Sequence, residues 1–323
     1  VHTGQHYDEA MSGQLMRQLG LPAATQNLQV GSANHAKQTA KIMVGLDDFV
    51  DASSNRFDAM VIYGDTNSTI AAALVASKRG IPVAHVEAGL RSFNRNMPEE
   101  LNRVVADHLS DRLYCSSALS VENLKNEGIS EGVLMVGDVM LDALRTFTPI
   151  AIADAKLDGL PVDPDQPFIL TTIHRPSNTD EEAVFNQIID AFGDLGTPCL
   201  WPAHPRTRAA LSSRSLPSNV RITEPVGYFE MLALLAKCKA VATDSGGLQK
   251  EAYWSQKKCV TLRAETEWVE TLEGNWNTLT PPGSTGFPGE LAGAMMASPS
   301  TPWRELYGDG EAGRRIAQDL SSI

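Results

Sequence analysis

The chain has 323 residues, with 27 Lys and Arg against 39 Asp and Glu for a net charge of −12, and is 42% apolar and 20% charged. That length suggests two domains of roughly 150 residues each, and the composition is that of an ordinary folded protein, which excludes disorder, collagen and coiled coil. A net acidic chain lacks the clustered Lys and Arg that DNA or an anionic membrane demands, and no run nears the ~18 apolar residues of a spanning helix, so neither a nucleic acid nor a membrane is an expected partner.

The first residues, Val1 to Asp8, carry no initiator Met and no basic segment followed by an apolar core. They do not read as a signal peptide, and a trimmed or unrecorded start is expected. Cys115, Cys199, Cys238 and Cys259 are dispersed without C-x-x-C spacing. Structural thiols in a reducing cytoplasm are the expectation.

In chain order, the apolar run Phe57 to Tyr63 reads as a strand that ends in Gly64-Asp65-Thr66, followed by an alanine-rich helix over Thr69 to Lys78. A second strand, Ile81 to Val86, ends at Glu87-Ala88-Gly89. The loop Gly89 to Asn96 leads to a helix over Met97 to Asp107, which opens with Pro98 and two acids as helices do. Leu113 to Cys115 and Val133 to Val136 are two further strands. Between Pro149 and Pro167 the composition breaks, with Pro161, Pro164 and Pro167 beside Asp158, Asp163 and Asp165, which marks a linker. The pattern then restarts with strands at Phe168 to Ile173, Thr197 to Pro202, Val220 to Ile222, Ala240 to Thr243 and Lys258 to Leu262.

Strand alternating with helix predicts parallel sheets covered on both faces. The expected fold is α/β, two doubly wound Rossmann-like domains facing a cleft. The expected limits are 1–155 for the N-terminal domain, 156–303 for the C-terminal domain, and 304–323 for a final helix packing back on the first domain.

In open parallel sheets ligands bind beyond the carboxyl ends of the strands, and Asp65, Glu87, His174, His204 and Ser245 all fall at such ends. A strand-end carboxylate is also an ordinary helix N-cap, and both readings stand for Asp65. Thr243-Asp244-Ser245-Gly246-Gly247-Leu248-Gln249-Lys250-Glu251 gives a strand, a glycine pair and a helix N-terminus, a natural seat for a phosphate. A tight turn capped by Ser245 is the plainer alternative. Glu99 and Arg103, like Arg103 and Asp107, are spaced i, i+4. Such a set is usually a solvated salt-bridge ladder, but the loop before it would carry these groups back toward Glu87. His174-Arg175 and His204 place imidazoles and a guanidinium on loops. Nothing has metal-ligand spacing, so no metal is expected. Gly308 to Gly313 fits G-x-G-x-x-G, but without a preceding strand it does not support a nicotinamide cofactor, and no cofactor is expected.

These residues, in this order, resemble the non-hydrolysing UDP-N-acetylglucosamine 2-epimerases. The similarity runs along almost the whole chain: Thr3-Gly4-Gln5-His6, Gly64-Asp65-Thr66, His85 to Arg91, Pro98-Glu99-Glu100, Asn102-Arg103, His174-Arg175, Glu224-Pro225, Thr243 to Gln249, Glu251-Ala252 and Tyr307 to Gly310. The resemblance implies a glycosyltransferase-B-like domain pair, usually a homodimer, that interconverts UDP-GlcNAc and UDP-ManNAc without a redox cofactor.

By the same resemblance Asp65, Glu87 and Glu99 match the family's active-site carboxylates, and Arg103 and His174 its cleft Arg and His. Ser245, Gly246 and Gly247 match the phosphate seat and Glu251 the ribose contact, with Arg175 and His204 among the UDP-binding groups. The C2 proton of an N-acetyl sugar is not flanked by a carbonyl, so expulsion of UDP from C1 accompanies its removal. A glycal-like intermediate results, and readdition from the other face inverts C2. Which carboxylate acts as base stays open.

Several departures are visible. The family begins about one strand and one helix earlier, with a Gly-Thr-Arg-Pro-Glu segment that is expected to be missing here. Met231 stands where the common branch has an aromatic near uracil, with Tyr228 and Phe229 close by. Thr266-Glu267-Trp268-Val269-Glu270 and Arg91-Ser92-Phe93-Asn94-Arg95 look like the branch acting on UDP-2,3-diacetamido-2,3-dideoxy-glucuronate, so the sugar stays open. Asp8 occupies the place of a Gln used elsewhere in the family for regulation by UDP-GlcNAc, and that regulation is not expected. A glycosyltransferase of the same architecture and an inactive UDP-sugar binder are the alternatives of other kinds.

Overall fold

The short apolar runs form strands whose residues are covered on both faces, four of four buried in the segments at Cys199, Ala240 and Lys258. The computed structural model describes residues 1–5, 16, 18–54, 56–212 and 214–322. His6 and Asp8, singled out in the sequence, lie outside the described residues.

In chain order the elements are α1 (His35–Ala52), β1 (Met60–Tyr63), α2 (Asn67–Arg79), β2 (Val83–Ala88), α3 (Pro98–His108), β3 (Arg112–Cys115), α4 (Ala118–Asn126), β4 (Val133–Met135) and α5 (Val139–Asp154). They continue with β5 (Ile169–Thr172), α6 (Pro176–Thr179), α7 (Glu182–Asp194), β6 (Cys199–Pro202), α8 (Pro205–Ser212), β7 (Val220–Thr223), α9 (Tyr228–Lys237), β8 (Ala240–Thr243), α10 (Gly246–Trp254) and β9 (Lys258–Thr261). A 3-10 stretch (Val269–Asn275), β10 (Asn277–Leu279), α11 (Phe287–Met296) and α12 (Ala312–Leu320) complete the chain.

Two compact units result: Val1–Asp142 with Tyr307–Ile323, and Ala143–Leu306. The first boundary falls within α5, which has Pro149 in its interior. The composition break marks the less regular stretch after α5, because a helix carries its residues past a proline when its remaining hydrogen bonds and packing suffice.

The first unit is built on a four-stranded parallel sheet in the order β1-β2-β3-β4. Beside it, α12 is tied down by Asp142, which accepts the first free N–H groups of that helix, from Ala312 at 3.1 Å and Gly313 at 2.7 Å. At the far end of α12, Asp319 accepts from the buried Tyr114 hydroxyl at 2.7 Å and pairs with Arg112. The glycines that mimicked a dinucleotide motif serve packing: a Cβ on Gly308 would lie 2.8 Å from the Gly137 Cα, and the residue has φ +87°.

The second unit has six parallel strands in the order β10-β9-β8-β5-β6-β7. Phe185, Phe192 and Trp201 pack edge-on in its core, with centroids 6.0 and 6.2 Å apart. Burying each such ring contributes roughly 1.5–3 kcal/mol before entropy is counted. From β5 the chain winds one way to β6 and β7 and then the other way to β8, β9 and β10. The strand order therefore reverses between β5 and β8, where open α/β sheets take their ligands.

Candidate active site

In the first unit the strand ends and one helix collect the acids. Asp65 lies in the turn after β1, and Thr66, not Asp65, is the N-cap of α2. The Asp65 carboxylate instead forms a short ion pair with Arg103 Nη2, while its side chain keeps 30% exposure. Arg103, nearly buried, also donates from Nη1 to Glu100 Oε2 at 3.0 Å. Glu100 in turn accepts the N–H groups of Ser92 and Phe93, each at 2.9 Å. The loop from Gly89 to Asn96 is thus held against the start of α3 by a buried carboxylate.

Along α3 the side chains pair inward, as the preceding loop suggested, rather than forming a solvated ladder. Arg103 turns to Asp65 and Glu100, while Asp107 is wholly buried and engages His85 and Arg91. Both have little exposure, so charges that would stay in water on a surface helix must find partners here. Glu99 lies in the first turn of the same helix, where the dipole favours a carboxylate.

Glu87 occupies a β-bulge. The pairing of β2 with β3 slips between Val86 and Ala88, and Glu87 takes φ +72°. Bulges re-aim side chains and recur beside active sites. Its Oε2 lies 3.7 Å from where a Cβ on Gly64 would be, which sets it beside the Gly64-Asp65 turn. Two residues on, Gly89 has φ +79°, and a Cβ there would lie 2.3 Å from the Ser120 carbonyl oxygen, so only glycine fits. The Thr3-Gly4-Gln5 motif reaches the same end of the sheet: Gln5 Oε1 accepts from the Ser68 N–H at 2.9 Å and its hydroxyl at 2.7 Å, at the start of α2.

In the second unit the reversal point carries His174, Asp244 and Ser245 at the ends of the neighbouring strands β5 and β8. Asp244, fully buried, accepts from the backbone N–H of His174 at 3.0 Å, that of Arg175 at 2.9 Å and Asn178 Nδ2 at 3.0 Å. His174 Nδ1 lies 3.0 Å from Asp244 Oδ1, with the imidazole 55% exposed. Burial pushes the Asp244 carboxyl up, but the His174 ring, the Arg175 N–H and Asn178 outweigh it and hold the acid below the usual carboxylate range. An ionised carboxylate only accepts, so Nδ1 carries the proton and Nε2 is the ring's available nitrogen.

Ser245 is the N-cap of α10, and its Oγ accepts from the Leu248 N–H at 3.4 Å. Capping and anion binding coexist here, because Gly246 and Gly247 form the first turn, whose N–H groups have no intrahelical acceptor. Glu251 is buried on α10, and Tyr228, whose hydroxyl is pushed up first by burial and then by the Glu251 charge, lies near it. Tyr228 packs edge-on against Phe147 with centroids 6.4 Å apart, and Phe229 packs tilted against it at 5.6 Å. The Arg175 side chain donates from Nε to the Asp244 carbonyl at 3.0 Å. His204 is exposed after β6, at the start of α8. Trp268 is pinned by the buried Lys250 ammonium 3.7 Å from its ring centre. Among the described residues no three His, Cys, Asp or Glu side chains converge as a metal ion would need.

A family model for the UDP-N-acetylglucosamine 2-epimerases matches residues 1–321. The chain belongs to that family. Among curated relatives of this epimerase family, the UDP-2,3-diacetamido-2,3-dideoxy-D-glucuronate 2-epimerase of Pseudomonas aeruginosa is 40% identical over 334 residues, covering 100% of this chain and 91% of its own. The crystal structure of Methanocaldococcus jannaschii UDP-GlcNAc 2-epimerase in complex with UDP-GlcNAc and UDP is 35% identical with a TM-score of 0.89, covering 100% of this chain and 91% of that one. The Neisseria meningitidis UDP-GlcNAc 2-epimerase bound to UDP-GlcNAc is 26% identical with a TM-score of 0.83, over 98% and 90% of the two chains. The resemblance read from the motifs and the α/β fold with two parallel sheets are borne out.

Sequence reading passed over Asp244, His85, Asp107, Arg91 and Glu100 as site-building residues. For Asp244 the signal was its place between Thr243 and Ser245 at a strand end. For Asp107 the signal was its i+4 spacing from Arg103, which also fits an unremarkable surface helix.

Proposed function

We propose that this protein inverts C2 of a UDP-N-acetylhexosamine, interconverting UDP-GlcNAc and UDP-ManNAc as a precursor step for cell-surface polysaccharide. The observation that carries this reading is the His174–Asp244 pair beside the α10 N-terminus at the reversal point of the second sheet. It offers a fixed acid/base and an anion seat side by side. Membership of the epimerase family and the acid set of the first unit support it.

In the proposed reaction the α10 N-terminus, with Ser245, Gly246 and Gly247, stabilises the pyrophosphate as negative charge develops on the C1 oxygen. Glu251 takes the ribose. A base removes the C2 proton while the C1–O bond breaks, and the electron pair of the C–H bond becomes the C1–C2 double bond of the glycal. UDP then returns to C1 as an acid delivers a proton to the opposite face of C2. Asp65, Glu87, Glu99 and His174 are the candidates for these transfers, and Arg103 holds the Asp65 carboxylate in place through their ion pair. The division of labour, acid/base groups in residues 1–155 and nucleotide binding in 156–303 with 304–323 packed on the first domain, belongs to the proposal. A homodimer and a cytoplasmic location do too; light scattering and fractionation test them.

UDP-2,3-diacetamido-2,3-dideoxy-glucuronate is the second substrate reading, supported by the 40% identity to the Pseudomonas aeruginosa relative and by the Thr266 to Glu270 segment. Incubation with each sugar nucleotide, followed by proton NMR, tests the reading. Conversion to a C2-epimer mixture, with slow release of UDP and the glycal, is expected. Transfer to an acceptor alone would point to a glycosyltransferase, and saturable UDP binding without turnover to an inactive binder.

A further inference from the structure

Behind the strand ends that bear Asp65 and Glu87 lies a row of polar side chains, buried at His85, Asp107 and Arg91, that takes no part in the proposed proton transfers. His85 has no exposed surface, and it is the only buried histidine among those described. Its Nδ1 lies 2.7 Å from Asp107 Oδ1 and its Nε2 2.8 Å from the Gly64 carbonyl oxygen. A carbonyl oxygen only accepts. Burial raises the Asp107 carboxyl, yet His85 and Arg91 outweigh that and keep it low, so it too only accepts. Both ring nitrogens therefore face acceptors, an arrangement that a ring bearing two N–H protons satisfies.

The row continues outward with alternating sign. Asp107 Oδ2 accepts from Arg91 Nη1 at 2.6 Å and from the Gly89 N–H at 3.1 Å, and Arg91 forks onto Glu127 with two contacts of 2.6 Å. Buried Arg91 thus bridges the buried Asp107 to Glu127, whose side chain at the outer end of the row is partly exposed. The bonds of this row end on the segments that flank the acids. Gly64 precedes Asp65, and its N–H donates to the Val86 carbonyl at 3.0 Å. Gly89 closes the bulge whose extra residue is Glu87. A left-handed φ is unfavourable for glutamate, so the surroundings hold it there.

We propose that His85 and Asp107 are positioning residues for the C2 proton transfers: the buried ring ties the Gly64 carbonyl to the α3 carboxylate and so fixes Asp65 and Glu87 relative to each other. This rests on the epimerase reading. Misplacing an acid/base group by about 1 Å costs about 100-fold in rate, whereas substrate grip on the nucleotide is built in the second unit. The signature is a loss in kcat with little change in KM.

Two measurements test it. Wild-type protein labelled with 15N-histidine shows, at pH 7.5, one solvent-shielded ring bearing two N–H protons. His85→Gln and Asp107→Asn, each folded by circular dichroism, lose about 100-fold in kcat with KM changed less than about threefold. A shielded ring with a single proton overturns the proposal, as does a folded His85→Gln that keeps kcat within about threefold of wild type. If neither variant folds, the ring proton count in the wild type decides. Wild-type protein with no C2 turnover removes the reaction itself, whereas normal wild-type turnover with an unaffected variant removes only this role.

Discussion

His174 Nδ1 donates to the buried Asp244 carboxylate at 3.0 Å, which turns its other ring nitrogen outward at the point where the second sheet reverses its winding. One acid thereby fixes the tautomer of an exposed base. Asp244→Asn places an amide where four donors point, so a stability loss of about 1–3 kcal/mol is expected from the unsatisfied N–H groups. The same change lets the ring rotate, and kcat is expected to fall by about 100-fold. Thermal melts and initial rates on Asp244→Asn beside His174→Gln check this; equal rates for Asp244→Asn and wild type would contradict it.

Arg103→Met leaves Glu100 buried without its guanidinium partner. Removing one member of a buried pair costs about 3–5 kcal/mol. The melting temperature is expected to fall accordingly, and Arg103→Lys is expected to recover only part of it, since an ammonium lacks the two-pronged geometry that reaches Asp65 and Glu100 together. A double variant with Glu100→Gln is expected to be more stable than Arg103→Met alone.

Gly89→Ala drives a Cβ to 2.3 Å from the Ser120 carbonyl at a φ of +79°. Relief requires the backbone after Glu87 to move, so destabilisation by more than about 1 kcal/mol is expected together with loss of turnover. Denaturant melts and rate assays check both, and an active, fully stable Gly89→Ala would contradict the assignment of the bulge.

The pH dependence of stability follows from groups shifted in opposite directions. Asp107 and Asp244 have folded values below the usual carboxylate, so the unfolded chain binds more protons as pH falls below about 4, and their stabilisation is lost there. Burial pushes the thiols of Cys115, Cys199, Cys238 and Cys259 up to about 12. Their contribution is whole below the unfolded value of about 8.5 and lost as pH rises toward the folded one. Denaturant melts are expected to show stability falling at both ends, with a smaller acid loss in Asp107→Asn. All four thiols are expected to resist a thiol reagent in the native protein at pH 7.5 and to react in denaturant.

Strand positions and the class of fold were legible because periodicity and strand-end polar residues report burial directly. The segment from Phe57 to Tyr63 shows this: its end at Gly64-Asp65 is the turn that leads from β1 into α2. The short β10 was not legible, and the inward pairing of α3 only in part. Asn277–Leu279 is too brief and too polar to stand out, and its pairing with β9 depends on long-range packing. Glu99, Arg103 and Asp107 share spacing with any surface ladder; only the burial of Arg103 and Asp107 separates the two, and burial is a property of the whole unit. The bulge at Glu87 was likewise hidden, since Gly89 signals a turn but not which residue before it is displaced.

The most direct measurement of the central claim is hydrogen exchange at C2. UDP-GlcNAc and UDP-2,3-diacetamido-2,3-dideoxy-glucuronate are each incubated in deuterated water with wild-type protein and with Glu87→Gln, and the recovered sugar nucleotides are read by mass spectrometry and NMR. One deuterium is expected at C2 of a substrate with the wild type, and a much slower gain with the variant. Wild-type protein that leaves C2 of both sugars undeuterated would contradict the claim.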